Sequence, residues 1–486
     1  MIALISASFL LAGPTFSVTY SEATFSAAFN GRVVVYLSKT GGEPRFGPNW
    51  FRPQPCYSAV LRCDGPGKAM VLNDANSIGF PGRLSALEPG EYTVQAVVDR
   101  NLGGRQIGNS PGNLYSVAQK VTIQADSNIE VVCDKVVPAR EFKDSKNVKE
   151  ARIESKLLSA HYKRQTHMTA AVVLPDLWFT DTSRKFPVIY SIPGFGGTHY
   201  GLSGRESTRG TLRDGEPFIF VALNPDCPTG HSVFADSANN GPWGKALTTE
   251  LIPFIERTYR AIGQPEARFT TGHSSGGWSS LWLQVAYPDF FGGCWSTAPD
   301  PVDFRDFQRI NIYRKGENMF TDPEGNRRPI ARRGDTPSIW YKDFSDMERP
   351  IRGEQLGSFD GVFSPKGANG EPVPLWDRVT GAIDPKVAVH WKKYDIGLIL
   401  RENAKALAPK LKGKIHVYMG DKDTFYLEGA TMLLRDDIAK LPYDAKVEIH
   451  PGDHGSVMTS TLTQRIDKEM AAQFRRNVRQ KVGGGG

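Results

Sequence analysis

TTGHSSGGWSS, residues 270–280, places two serines among glycines directly after a strand-like run, ARFTT (267–271), and directly before a helix-like run, WSSLWLQVAY (278–287), that stops ahead of Pro288. A strand, a Gly-x-Ser-x-Gly turn and a helix are the context in which a serine is held exposed on a sharp bend as a nucleophile. The pentapeptide alone is a common glycine-serine turn. Its meaning depends on whether the rest of the chain supplies a base, an acid and an oxyanion site in a workable order.

Working outward from that turn, the chain from residue 167 alternates apolar strand-like segments (TAAVVLP, FPVIYSIPG, FIFVALNPD, KIHVYMG, KVEIHPG) with helix-like ones. This alternation predicts an α/β domain with a mostly parallel sheet over 167–480. In GKALTTELIPFIERTYRAI, Leu247, Leu251, Phe254, Ile255 and Tyr259 fall on one helical stripe, and Pro253 makes the helix start near Thr249 or kink. Residues 304–390 interrupt the pattern with prolines, glycines and NRRPIARRGDTP, and a stretch this long between sheet elements is read as a cap insertion. Residues 16–137 carry short alternating runs (FSVTY, RVVVYLS, YSAVLRC, GEYTVQAVVD, AQKVTIQ, IEVVCDKVV) separated by turn residues, the pattern of an all-β sandwich. Residues 138–166, charged and poor in apolar side chains, are read as linker and lead-in. The first 15 residues are read as a signal peptide, which makes the protein secreted or periplasmic, although a basic start is missing. The glycine tail, 481–486, is expected to be flexible.

At 486 residues the chain is long enough for two or three domains. Its 59 basic and 52 acidic residues give a net charge of +7, too diffuse and without a recognisable module to indicate a nucleic-acid partner. No run after the first is long enough to span a bilayer. The five cysteines (56, 63, 133, 227, 294) leave at least one free thiol; Cys56–Cys63 and Cys63–Cys133 are the pairings to consider. No metal motif is present, and no cofactor is expected.

A serine hydroxyl needs a positioned base. In the α/β enzymes whose nucleophile sits in a Gly-x-Ser-x-Gly bend of this kind, the acid and then the histidine follow it in the chain, each in a loop after a strand. That order excludes histidines before Ser274. His416 and His450 fall inside strand-like runs and His390 in the insertion, which leaves His454, in HPGDHGS, as the base. The loop GDKDTF offers Asp421 and Asp423, and Asp423, deeper in the loop, is preferred as the orienting acid; helix capping is the alternative use of either. The oxyanion donors are expected from the amide of Ser275 and from Phe195 or Gly196 in IPGFGG. Trp243 and Tyr200, with Trp340 and Trp376, are candidates for an aromatic substrate groove or for ordinary packing. The arginines of RRPIARR would suit an acidic substrate.

VIYSIPGFGG, NGPWGKALTTELIPFIERTYR, TGHSSGGWSS, GGCWSTAPDPVDF, VYMGDKDTFY and GDHGS together resemble the branch of the α/β-hydrolases that holds esterase D, feruloyl and acetyl esterases, enterochelin esterases, S-formylglutathione hydrolases and mycolyl transferases. The resemblance runs over roughly 167–303 and 390–475. It implies a Ser-His-Asp serine esterase acting on a small or carbohydrate-linked ester. An acyltransferase of the same fold, or a catalytically silent binding protein, is the alternative. An immunoglobulin-like sandwich ahead of the hydrolase domain is similar to the enterochelin-esterase arrangement. The chain departs from the branch at the oxyanion loop, where Pro193-Gly194 replaces the usual His-Gly, and in the length of the insertion.

Overall fold

The computed structural model describes residues 13–483. Most of the segment read as a signal peptide, residues 1–12, lies outside the described residues, and a first strand begins at Thr15. The chain divides into two compact units, one formed by residues up to Arg140 together with Lys342–Leu356, the other by Glu141–Tyr341 and Gly357 onward.

In the first unit the strands build two sheets. Thr15–Tyr20 lies between Met70–Leu72 and Asn128–Cys133 in the smaller sheet; Phe29–Ser38, Cys56–Cys63 and Gly90–Val98 are the long strands of the larger one. Every second residue of Thr15–Tyr20 and of Asn128–Cys133 is buried, so each strand contributes one face to a shared core. Phe16, Val18, Tyr57, Tyr92, Val94 and Val131 meet there. All five cysteines of the chain are buried free thiols, so neither pairing considered from the sequence is formed. The segment Lys342–Leu356, from within the stretch read as an insertion, belongs to this unit. Arg352 holds it with two hydrogen bonds to the buried Asp99, at 2.9 and 3.1 Å, and Trp50 Nε1 donates to Glu354 at 3.0 Å.

The second unit contains an eight-stranded sheet. Its strands are β1 (Val148–Glu154), β2 (His167–Val173), β3 (Val188–Ile192), β4 (Ile219–Leu223), β5 (Arg268–His273), β6 (Gly293–Thr297), β7 (Ile415–Gly420) and β8 (Ala445–His450), in spatial order 1-2-4-3-5-6-7-8. From β4 through β8 every neighbouring pair is parallel; β1 and β2 run antiparallel. β1 corrects the reading of 138–166 as linker. Its charged residues are those of an edge strand with only Val148 and Ala151 fully buried, which hides the strand from a hydrophobicity scan. Along β3, Val188, Tyr190 and Ile192 enter one core and Ile189 the other, so the sheet is covered on both faces.

The helix carrying the Leu247 stripe runs from Trp243 to Thr258 and passes through a π turn at Leu247–Leu251, just before Pro253. A wider turn is where a helix can absorb a proline that offers no N–H. Helix Gln355–Phe363 of the insertion meets the helix Ser275–Ala286 through Phe363, 5.2 Å from Trp278 between ring centroids, and helix Pro385–Trp391 meets Phe363 in turn through Trp391 at 5.1 Å. The last helix, Ser460–Gly483, extends through Lys481–Gly483, part of the tail expected to be flexible. Among the described residues no helix is long and apolar enough to cross a membrane.

Candidate active site

Because β5, β7 and β8 are parallel strands of one sheet, the loops that follow them open at the same end of it. Ser274 comes directly after β5, Asp423 after β7 and His454 after β8.

Ser274 has φ 60° and ψ −127°, a strained conformation for a residue with a side chain. The surrounding glycines explain how the bend closes. A Cβ on Gly272 would lie 2.1 Å from the Gly276 carbonyl oxygen, and one on Gly276 would lie 2.0 Å from that of Ile192. Those gaps admit only hydrogen, so the turn draws the helix start tightly onto the ends of β3 and β5. The Ser274 amide donates to Thr297 O at 3.0 Å, and Ser274 O accepts from Trp278 N at 3.0 Å, the first turn of the helix. Ser275 stands at the helix N-terminus, where amides lack intrahelical partners. Its hydroxyl donates to the buried Asp300 at 2.6 Å.

His454 Nδ1 lies 2.6 Å from Asp423 Oδ2, and Asp423 Oδ1 accepts from the Phe425 amide at 2.8 Å. Asp423 is fully buried. Asp421 instead accepts from the Gly452 amide at 2.9 Å, and Asp453 caps the turn it precedes by accepting from Gly455 and Ser456. Burial presses the His454 imidazole toward its neutral form. The Asp423 hydrogen bond and charge, helped by Asp300 and Asp453, outweigh that, and the pKa stands above the ordinary histidine value. The His273 ring lies 4.7 Å from that of His454, and burial together with His454 pushes its pKa down to about 4. Of the two facing imidazoles, His454 is the one whose affinity for a proton is raised, and His273 the one whose affinity is lowered. Among the described residues no hydrogen bond joins Ser274 Oγ to His454; such bonds are often long in unliganded sites and tighten with substrate.

The loop after β3 approaches the same point. A Cβ on Gly194 would lie 3.3 Å from Ser274 Cβ and 3.8 Å from its Oγ. Gly197 N–H closes a turn on Gly194 O at 3.0 Å, with Gly196 at φ 80°, so Phe195 and Gly196 form its tip. A residue that sequence reasoning passed over supports this loop. His231 Nδ1 accepts from the Val233 amide at 3.0 Å, which leaves the proton on Nε2, 3.0 Å from Pro193 O. Ser358 Oγ, from the insertion, accepts from His231 N at 2.9 Å and donates to His231 O at 3.0 Å. A side chain outside the loop therefore supplies hydrogen bonding to a segment that opens with Pro-Gly instead of His-Gly. The only signal in the sequence was a histidine after β4, and the search for a base discarded it for preceding Ser274.

Trp243 does not line a groove. It is 3% exposed, packed against Phe234 at 5.9 Å between ring centroids, because the helix it starts lies on the sheet core. Trp376 is likewise buried, with Arg378 stacked 3.7 Å from its centroid. Tyr200 is half-buried against His199 at 4.2 Å, and Trp340 is half-buried with Arg327 over its ring. Two arginines of RRPIARR are engaged internally: Arg328 pairs with Glu317 and donates to Asn318 O and Thr321 O, and Arg332 pairs with Glu428. A cavity of about 1190 Å³ opens at the other end of the sheet, where Gly292, Ile415, His416 and Ala445 begin or precede their strands; none of Ser274, Asp423 or His454 lines it. Among the described residues no cluster of three or more His, Cys, Asp or Glu side chains could hold a metal ion.

The strand order and the glycine-lined serine turn after β5 define an α/β-hydrolase. A family model described as "Putative esterase" matches residues 162–457, more than half of the chain; the chain belongs to that family and is a carboxylic ester hydrolase. Solved structures that it resembles include a ferulic acid esterase (15% identity, 68% of this chain and 99% of that one, TM-score 0.41). Others are an S-formylglutathione hydrolase from Agrobacterium tumefaciens (14%, 69% and 98%, 0.41) and a CE1 ferulic acid esterase from Anaeromyces mucronatus (15%, 68% and 95%, 0.33). No curated protein matches the chain.

Proposed function

We propose that the enzyme is a serine esterase working through an acyl-enzyme intermediate on Ser274, with His454 as general base and acid and Asp423 as its orienting acid. The observation that carries this reading is the 2.6 Å contact from His454 Nδ1 to the buried Asp423 carboxylate, at the end of the sheet where Ser274 sits on its strained bend. Ser274 Oγ attacks the acyl carbon while its proton passes to His454 Nε2. The oxyanion is held by the amides of Ser275 and of Phe195 or Gly196, and the imidazolium is stabilised by Asp423. His454 returns the proton to the leaving alcohol, and water then repeats the sequence to release the acid. The substrate class is aryl, acetyl or carbohydrate-linked esters. In the same proposal the first unit is an immunoglobulin-like sandwich that precedes the catalytic domain.

The test is hydrolysis of p-nitrophenyl acetate, butyrate and octanoate by wild type and Ser274→Ala, with fluorophosphonate labelling of both. Turnover and labelling confined to wild type support the reading, and equal activity in both sinks it. A transesterified product when an alcohol is added would reassign the enzyme to acyl transfer.

A further inference from the structure

The insertion contributes a hairpin, Pro329–Arg333 paired with Thr336–Trp340, and one of its side chains reaches the acid loop. Arg332 holds that loop at several points. Its amide donates to Thr424 O at 2.8 Å, its Nε to Asp423 O at 2.9 Å and its Nη2 to Glu428 Oε1 at 2.5 Å. Its guanidinium lies 4.6 Å from the centroid of the Tyr426 ring, and Tyr426 is a buried residue held at φ 57°. Asp423 is thereby held at both ends, its carbonyl by Arg332 and its carboxylate by His454 and the Phe425 amide.

We propose that Arg332 is a positioning residue for catalysis, which fixes the Asp423 loop so that the carboxylate meets His454 in register. The assignment rests on the triad reading above. It accounts for one arginine of the basic run: the Nε and Nη2 donors of Arg332 serve the protein's own acid loop. Arginine suits the role because Nε–H and Nη–H diverge toward two separate acceptors, the Asp423 carbonyl and the Glu428 carboxylate; a lysine ammonium on a flexible stem matches only part of that geometry.

The test is Arg332→Ala and Arg332→Lys, assayed beside Ser274→Ala on a p-nitrophenyl ester, with kcat and KM over a pH series and a melting curve for each. The groups facing His454 are Asp423, Asp300, Asp453 and His273. If the acid loop drifts, the imidazolium loses its strongest partner and the acid limb of kcat/KM moves to lower pH. The expected result for Arg332→Ala is a fall in kcat of roughly 10- to 100-fold, the scale set by small misplacements of a catalytic group, with KM little changed and the acid limb displaced. Arg332→Lys should fall between. A folded Arg332→Ala with wild-type kcat and acid limb and only a lower melting temperature overturns the proposal, and so does a rise in KM alone. Should Arg332→Ala not fold, wild-type kcat and acid limb in Arg332→Lys overturn it. Retained activity in Ser274→Ala would instead show that the triad reading had failed, whatever the arginine variants do.

Discussion

Two histidines at opposite ends of the same sheet are both at least half-buried, and their chemistry diverges. His416, near the start of β7, stacks on Trp295 at 4.6 Å with Nδ1 3.2 Å from Cys294 O, and it lines the large cavity. Burial pushes its pKa down to about 4, and Lys446 and Arg476 add to that against the opposing pull of Glu469. His454, in the loop after β8, is half-buried, yet its pKa is raised because Asp423 shares a short hydrogen bond with it. Burial by itself makes a neutral, inert imidazole. A carboxylate buried beside the ring restores its affinity for a proton, which a general base needs. The imidazole that lines the cavity of about 1190 Å³ is thus the one held neutral by burial.

The sharpest way to break this contrast is at the catalytic end. Ser274→Ala should cost about 10⁴- to 10⁶-fold in kcat on a p-nitrophenyl ester, and a loss of less than tenfold would move the nucleophile elsewhere. Asp423→Asn should lower kcat by about 10⁴-fold, while Asp421→Asn should leave it near wild type, because Asp421 only accepts from the Gly452 amide. Comparable losses from both would mean that the loop matters as a whole. Trp243→Ala, in the interior, should cost about 3–5 kcal/mol of stability by urea denaturation, with KM of the surviving enzyme unmoved. A change confined to KM would return Trp243 to the substrate groove.

The smallest effect belongs to the other end. His416 has a folded pKa of about 4 against an ordinary 6.5, so between those values the unfolded chain binds the extra proton and stability falls as pH is lowered. The loss from this group reaches about 3 kcal/mol by pH 4. His273 works in the same direction. His454, with its raised pKa, has the opposite sign: its contribution is full below pH 6.5 and fades as pH rises through the folded value. His416→Phe should flatten the acid side of the stability curve, read by denaturation at several pH values, without moving kcat. An unchanged curve would mean that His416 is protonated in the folded protein.

Much of the catalytic unit could be read from residue order, because its signals are local. Glycines flank a serine between a strand and a helix, and Asp423 and His454 each follow an apolar run. A parallel sheet brings the ends of such runs to one end of the sheet, so chain order alone put those loops together. The period-2 strands of residues 16–137 were legible for the same reason. Packing and long-range partners decided the rest. The edge strand Val148–Glu154 looked like linker because a strand buried mostly on one side can be built from charged residues. Trp243 looked available for a substrate because a sequence does not say which face of a helix meets the sheet. His231 on Pro193 and Arg332 on Asp423 join positions 38 and 91 residues apart. No local pattern marks such a hydrogen bond, which exists only once the sheet has brought β3 beside β4 and the insertion hairpin onto the acid loop.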